Sequence, residues 1–142
     1  MLEAIDLRCE YQVNPLGIGT TRPRISWKLR SDRRAVVQTA YEIEVAADSE
    51  FRNIVWRSGK VESDQTVHVE LPGFVPKSRT RYHYRVKSWD NRGECSGWSA
   101  PAYWETGILR KEEWGSARWI AAPEEVISRD SEQVPLLRRT FT

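Results

Sequence analysis

Apolar and polar residues alternate with a period of two through most of the first hundred positions. In Arg24-Ile25-Ser26-Trp27-Lys28-Leu29 the apolar set Ile25, Trp27 and Leu29 falls on one face and the polar set on the other, as in a strand with one face toward a core and one toward water. The pattern recurs three times. Tyr41, Ile43, Val45 and Ala47 alternate with Glu42, Glu44 and Ala46; Val67, Val69 and Leu71 alternate with His68 and Glu70; Tyr82, Tyr84 and Val86 alternate with Arg81, His83, Arg85 and Lys87. One wet face per strand is the signature of antiparallel pairing.

Turn-forming residues separate these runs: Ser31-Asp32, Asp48-Ser49, Ser58-Gly59, Pro72-Gly73 and Asp90-Asn91-Arg92-Gly93. All tolerate tight or left-handed backbone. Weaker strands at Leu7 to Tyr11, Val55 to Ser58 and Ala102 to Thr106 raise the count to seven. Seven short strands in about 100 residues predict an all-β, immunoglobulin-like sandwich over residues 1–108. Helix is nearly absent from the pattern, with single turns expected at Asp48 to Asn53 and Lys111 to Trp114 and a small extended piece at Arg118-Trp119-Ile120. Residues 109–135 read as a linker, the polar stretch Pro123 to Pro135 being expected to be mobile. Residues 136–142, Leu-Leu-Arg-Arg-Thr-Phe-Thr, read as a strand that begins another domain and is cut short.

Inward positions and chemistry separate cleanly. Trp27 is expected at the centre of the core, and Tyr82, following the corner Lys77-Ser78-Arg79-Thr80, is placed for its hydroxyl to hydrogen-bond back to that corner. Outer-face His68 and His83 lack an acidic orienter and an adjacent nucleophile, so neither is expected to act as a base. Glu42 and Glu44 project about 7 Å apart by the strand rise, within the separation a glycosidase uses, but on a face expected to be flat and solvated. Gly17-Ile18-Gly19 is too short for a phosphate loop.

Composition narrows the remaining classes. The chain has 142 residues, 22 basic and 20 acidic, for a net charge of +2, without the basic excess of a nucleic-acid surface. No run approaches the ~18 apolar residues of a membrane helix. Glu3 and Asp6 stand where a secretory leader has a basic and then an apolar stretch, so the expected location is the cytoplasm, with neither nucleic acid nor membrane as partner. With two cysteines and two histidines no zinc spacing exists, and no metal or cofactor is expected. Cys9 and Cys95 flank core strands, so a bond between them is open, but the missing leader favours free thiols.

Seven tryptophans are the conspicuous excess. Trp27 and Trp104 fit the core, while Trp114 and Trp119 fall beyond the sandwich, where they suit a docking surface. The outer face of the Arg81 to Trp89 run interleaves Arg81, His83, Arg85 and Lys87 with Trp89, and Trp98 follows. Three readings compete. The first is a ladder of cations over indole rings, each exposed contact contributing about 0.5–1 kcal/mol. The second is an interdomain or sugar-facing patch, with Trp89, Trp98 and, more weakly, Trp56 as carbohydrate-binding candidates. The third is a phosphate-binding row, disfavoured because no helix N-termini accompany it.

Several phrases in order resemble the opening of the bacterial α-L-rhamnosidases. They are Leu7-Arg8-Cys9-Glu10-Tyr11 with Asn14-Pro15-Leu16-Gly17-Ile18, Arg22-Pro23-Arg24-Ile25-Ser26-Trp27, Gln38 to Ala46, Trp56-Arg57-Ser58-Gly59-Lys60-Val61, Trp89-Asp90-Asn91-Arg92-Gly93, Trp98-Ser99-Ala100-Pro101, Glu105-Thr106-Gly107 and Trp119-Ile120. The resemblance spans residues 7 to about 122, and it would make residues 136–142 the first strand of the next β-sandwich. It implies a non-catalytic N-terminal accessory domain of fibronectin type III-like fold, whose partners are the remaining domains of the parent glycosidase: further β-sandwiches and an (α/α)6-barrel. It also implies hydrolysis of terminal α-L-rhamnose with inversion, by acidic residues of the barrel that have no counterpart among these positions. The implied role is packing and positioning, and the alternative is a carbohydrate-binding module. Arg57 departs from the pattern, since many members are acidic there.

Overall fold

The computed structural model describes residues 1–121 and 136–140. Among the described residues seven strands form: β1 (Leu2–Cys9), β2 (Arg24–Ser31), β3 (Gln38–Ala46), β4 (Ile54–Arg57), β5 (Val69–Glu70), β6 (Arg81–Asp90) and β7 (Ala102–Glu105), followed by a 3₁₀ turn at Lys111–Trp114. A three-stranded sheet in the order β1-β2-β5 faces a four-stranded sheet in the order β4-β3-β6-β7, and all strand pairs are antiparallel. The expected seven-stranded all-β sandwich is therefore present.

Strand alternation fills the space between the sheets. Ile25 and Trp27 from β2, Tyr41, Ile43 and Val45 from β3, Tyr82, Tyr84 and Val86 from β6, and Trp104 from β7 make one buried cluster with Ala4, Leu7 and Cys9 of β1. Trp27 donates its indole N–H to Gln38 Oε1 at 3.1 Å, and Ser88 Oγ donates to the same oxygen at 2.7 Å. Gln38 Nε2 in turn donates to the carbonyls of Ser63 and Gln65, so the polar atoms brought inside with Trp27 are satisfied. The hydroxyl of Tyr82 accepts the Lys77 backbone N–H at 2.9 Å, tying β6 to the corner before it.

Four local expectations change. The first strand begins at Leu2 and ends at Cys9, because Glu10 and Tyr11 adopt φ of 46° and 70° and turn the chain out. Val67 is 56% exposed and precedes β5, since His68 at φ 53° breaks the alternation that would have turned Val67 inward. Ala46 is buried and Ala47 exposed, as the β3–β4 register shifts between Val45 and Ala46. The turn after β3 is not helical: the Asp48 carboxylate accepts the backbone N–H groups of Glu50, Arg52 and Asn53 and closes a loop instead. Those N–H donors hold its pKa below the usual carboxylate range.

The N-terminal segment also ties the two sheets together. After pairing in the smaller sheet through β1, the chain crosses to the free edge of β7. There Ile18 N–H donates to Glu105 C=O, Glu105 N–H to Pro15 C=O and Gly107 N–H to Ile18 C=O. A Cβ on Gly107 would lie 3.3 Å from the carbonyl oxygen of Gly17, which explains glycine at this crossing. Residues 136–140 are exposed and carry no regular element; most of the expected linker and its predicted mobility lie outside the described residues. Among the described residues no helix is long and apolar enough to cross a membrane.

Candidate functional site

The outer face of the larger sheet gathers the candidate aromatic and charged side chains, and its register decides which of them meet. Glu44 pairs with Arg85 and Glu42 with Lys87 across β3 and β6, while Glu44 also stands beside Arg57 of β4. Opposite charges at directly paired positions form ion pairs. Arg85 Nε and Nη2 donate to Glu44 Oε2 at 2.9 and 2.6 Å, Arg57 Nε lies 2.9 Å from Glu44 Oε1, and Lys87 Nζ lies 2.9 Å from Glu42.

The aromatic rings complete this layer. The Arg85 guanidinium sits 4.3 Å from the ring centre of Phe51 and 4.5 Å from that of Trp98. Lys87 Nζ is 4.4 Å from Trp98 and 5.2 Å from Trp89, and Lys60 approaches Trp89 at 5.2 Å. Arg81 covers Tyr103 at 4.6 Å while its guanidinium holds Glu105 at 3.0 Å. The cation ladder, first of the three sequence readings, is the arrangement found. Arg85 and Lys87 are paired with carboxylates and stacked on indoles at once, and Arg81 is paired and stacked on a phenol ring, which leaves them poorly placed to receive phosphates.

One expectation about this face is overturned. Glu44 was expected on a flat solvated surface beside Glu42, but it is only 5% exposed. Two arginines pair with it while Lys87 pairs with Glu42, so the two carboxylates are separately engaged. Sequence reasoning also missed Phe51, Arg57 and Lys60. Phe51 is delivered by the Asp48 turn at φ 57°, which no alternation pattern foretells, whereas Glu44 with Arg85 was findable by setting β3 and β6 in register.

Of the three tryptophan candidates, the structure brings two together. Trp89 and Trp98 share Lys87. Trp56 lies opposite Val45, a core residue, and so points to the other face of the sheet. It packs partly buried against the core and donates its indole N–H to Pro72 C=O at 3.0 Å. Beside it an open groove of about 580 Å³ runs between the edge strands β4 and β5, lined also by Arg57, Gln65, His68 and Glu70.

The two histidines lie apart. His83 is held below its ordinary pKa by burial and by the charge of Arg81. His68 meets the Tyr11 ring edge to face at 4.6 Å. Cys9 is buried and Cys95 exposed, with no bond between them, and burial pushes the Cys9 thiol up to about 12. Among the described residues no group of His, Cys, Asp and Glu is arranged to hold a metal.

Comparison with known proteins places this architecture. Residues 4–110 match the model described as Rha78A-like, N-terminal immunoglobulin domain. An α-L-rhamnosidase of Streptomyces avermitilis is 44% identical over 116 residues, covering 80% of this chain and 11% of that protein. One from Formosa agariphila is 38% identical over 111 residues, covering 75% and 12%. The crystal structure of the Streptomyces avermitilis α-L-rhamnosidase complexed with L-rhamnose superposes with a TM-score of 0.81 at 42% identity, over 87% of this chain and 12% of that one. The α-L-rhamnosidase from Dictyoglumus thermophilum gives a TM-score of 0.79 at 34% identity, over 86% and 14%. The chain thus spans roughly an eighth of the relatives it matches.

Proposed function

The chain belongs to the family of Rha78A-like N-terminal immunoglobulin domains, and from that premise we propose that residues 1–108 are a non-catalytic accessory domain of an α-L-rhamnosidase. Residues 109–135 then link it to the next β-sandwich, whose first strand is residues 136–142. The parent enzyme releases terminal α-L-rhamnose from glycosides with inversion, using carboxylates outside this chain, and this domain stabilises and positions the larger enzyme by packing against it. The observation that supports a structural role is the outer sheet face, where Glu42 and Glu44 are engaged by Lys87, Arg57 and Arg85 and the cations lie over Trp89 and Trp98. Carboxylates engaged separately by different cations do not face one glycosidic bond as a catalytic pair would. The 142-residue chain, freed of contaminating enzyme, is expected to leave an aryl α-L-rhamnoside at the buffer rate of hydrolysis. Faster release of the aglycone would end this reading.

A carbohydrate-binding module is the second reading, and the groove beside Trp56 favours it. Titration with rhamnosides separates the two. Tryptophan emission unchanged up to millimolar sugar, where a Kd corresponds to about −4 kcal/mol, supports the packing role, and a saturable shift lost in Trp56→Ala supports the module.

A further inference from the structure

Ion pairs on this sandwich are unevenly distributed. Glu3, Asp6, Glu10, Glu42, Glu44 and Glu94 each hold a cation, so the charges on both outer sheet faces are largely paired, while at the far turn Arg33 is paired and exposed Arg34 and Arg92 have no ion pair among the described residues. The end at which the chain leaves β7 carries a second such group. There Lys77, Arg79 and Lys111 are exposed and have no carboxylate in ion-pair contact among the described residues.

The same end leaves large apolar side chains uncovered on backbone that is firmly held. Leu16 is 66% exposed although its neighbours Pro15 and Ile18 are hydrogen-bonded to Glu105 and Gly107. Val75 is 82% exposed just before the corner that Tyr82 anchors. Trp114 is 55% exposed at the end of a 3₁₀ turn none of whose residues is buried. That turn is fixed to the corner: Arg79 N–H donates to Gly107 C=O, Leu109 N–H to Ser78 Oγ, and the Ser78 hydroxyl to the Glu113 carboxylate, which also accepts the Arg110 N–H. Hydrogen bonding to Ser78 holds Glu113 below its ordinary pKa, so this anchor is charged at neutral pH. An ordered turn that presents a tryptophan to solvent recovers none of its ordering entropy from burying it.

We propose that this end of the sandwich is the docking surface for the following domain of the same polypeptide, which meets it with an apolar centre over Leu16, Val75 and Trp114 and a rim of carboxylates facing Lys77, Arg79 and Lys111. The inference rests on the accessory reading above. Two observations select the occupant. The relatives carry most of their length outside this domain, and cations without ion pairs at the end that also exposes these apolar side chains call for carboxylates in whatever covers it.

Hydroxyl-radical footprinting tests it, comparing the 142-residue chain with the full-length polypeptide that carries it. Leu16 and Trp114 are expected to oxidise at least fivefold more slowly in the full-length protein, while Val37, exposed at the opposite end, oxidises equally in both. Equal rates at Leu16 and Trp114 overturn the proposal. In the full-length protein, Lys77→Glu combined with Lys111→Glu, both at exposed positions outside the core, is expected to cancel at least half of that protection. Protection left intact by the double charge reversal overturns the acidic rim. Rhamnoside hydrolysis by the 142-residue chain is a separate outcome that defeats the accessory reading and leaves the footprint comparison unaffected.

Discussion

At Glu44 a single carboxylate holds two arginines, one from each neighbouring strand. Glu44→Gln keeps the shape and removes the charge, leaving Arg57 and Arg85 without a counter-ion. Hydrogen bonds to charged groups contribute about 1.5–3 kcal/mol, so the variant is expected to lose about 2 kcal/mol in urea unfolding. Glu42→Gln, which releases only Lys87, is expected to lose less than half as much. The cysteines make a second contrast. Cys95 is expected to react at once with a thiol reagent in the folded protein and Cys9 only after denaturation, giving one accessible thiol and then two. Because burial raises the Cys9 thiol to about 12, its contribution to stability is full below the ordinary thiol value near 8.5 and declines as pH rises toward about 12. The roles of Trp27 and Tyr82 were legible in the sequence, as strand alternation fixes the inward side. Burial of Glu44 was not, because a period of two names the outer face without saying which cross-strand neighbours roof it.

Strand positions were legible wherever alternation ran for several residues, as in β2, β3 and β6. They failed where one residue takes a left-handed conformation: His68 shortens β5 to two residues, and Glu10 with Tyr11 ends β1. A side chain in that region reverses the facing of its neighbours, and neither histidine nor glutamate advertises it as glycine would. The crossing at Gly107 is an element of this kind, fixed by backbone contact alone. Gly107→Ala is expected to push the 15–18 segment from the β7 edge and lower stability by about 1 kcal/mol. Gly19→Ala, which has open space and no positive φ, is expected to leave the denaturation midpoint unchanged.

Across the whole molecule the charge network sets the pH response. Hydrogen bonds from Lys28 and Arg8 hold Asp6 below the usual carboxylate range, and Arg24 does the same for Glu10. Burial pushes Asp90 the other way, but the backbone N–H groups of Glu94 and Arg92 carry it down. Folded values below the unfolded ones mean stability that is full above about pH 4 and is lost as pH falls through the folded values. His83, lowered by burial, follows the same sign from about pH 6.5 downward. Thermal unfolding is expected to show a shallow decline beginning near pH 6.5 and a steep one below about 4, and His83→Gln is expected to remove only the first. The sandwich and its family resemblance were legible in strand count and ordered phrases. The split of surface into paired faces and ends with unpaired cations was not, because pairing depends on register and on chain paths no local pattern records.

The tie between the N-terminal segment and β7 bears on how the protein is made. Residues 15–18 wait for partners at 105–107, almost ninety positions later. On a ribosome the 15–18 segment emerges long before the edge it covers, so closure is deferred until Gly107 has left the exit tunnel. By then the tunnel already holds residues from the stretch that follows, and the 15–18 segment has stayed without its partner through nearly the whole translation of this domain. A nascent chain stalled before that point is exposed to pairing with a second copy, which makes steady elongation through the last strand a condition for a clean product.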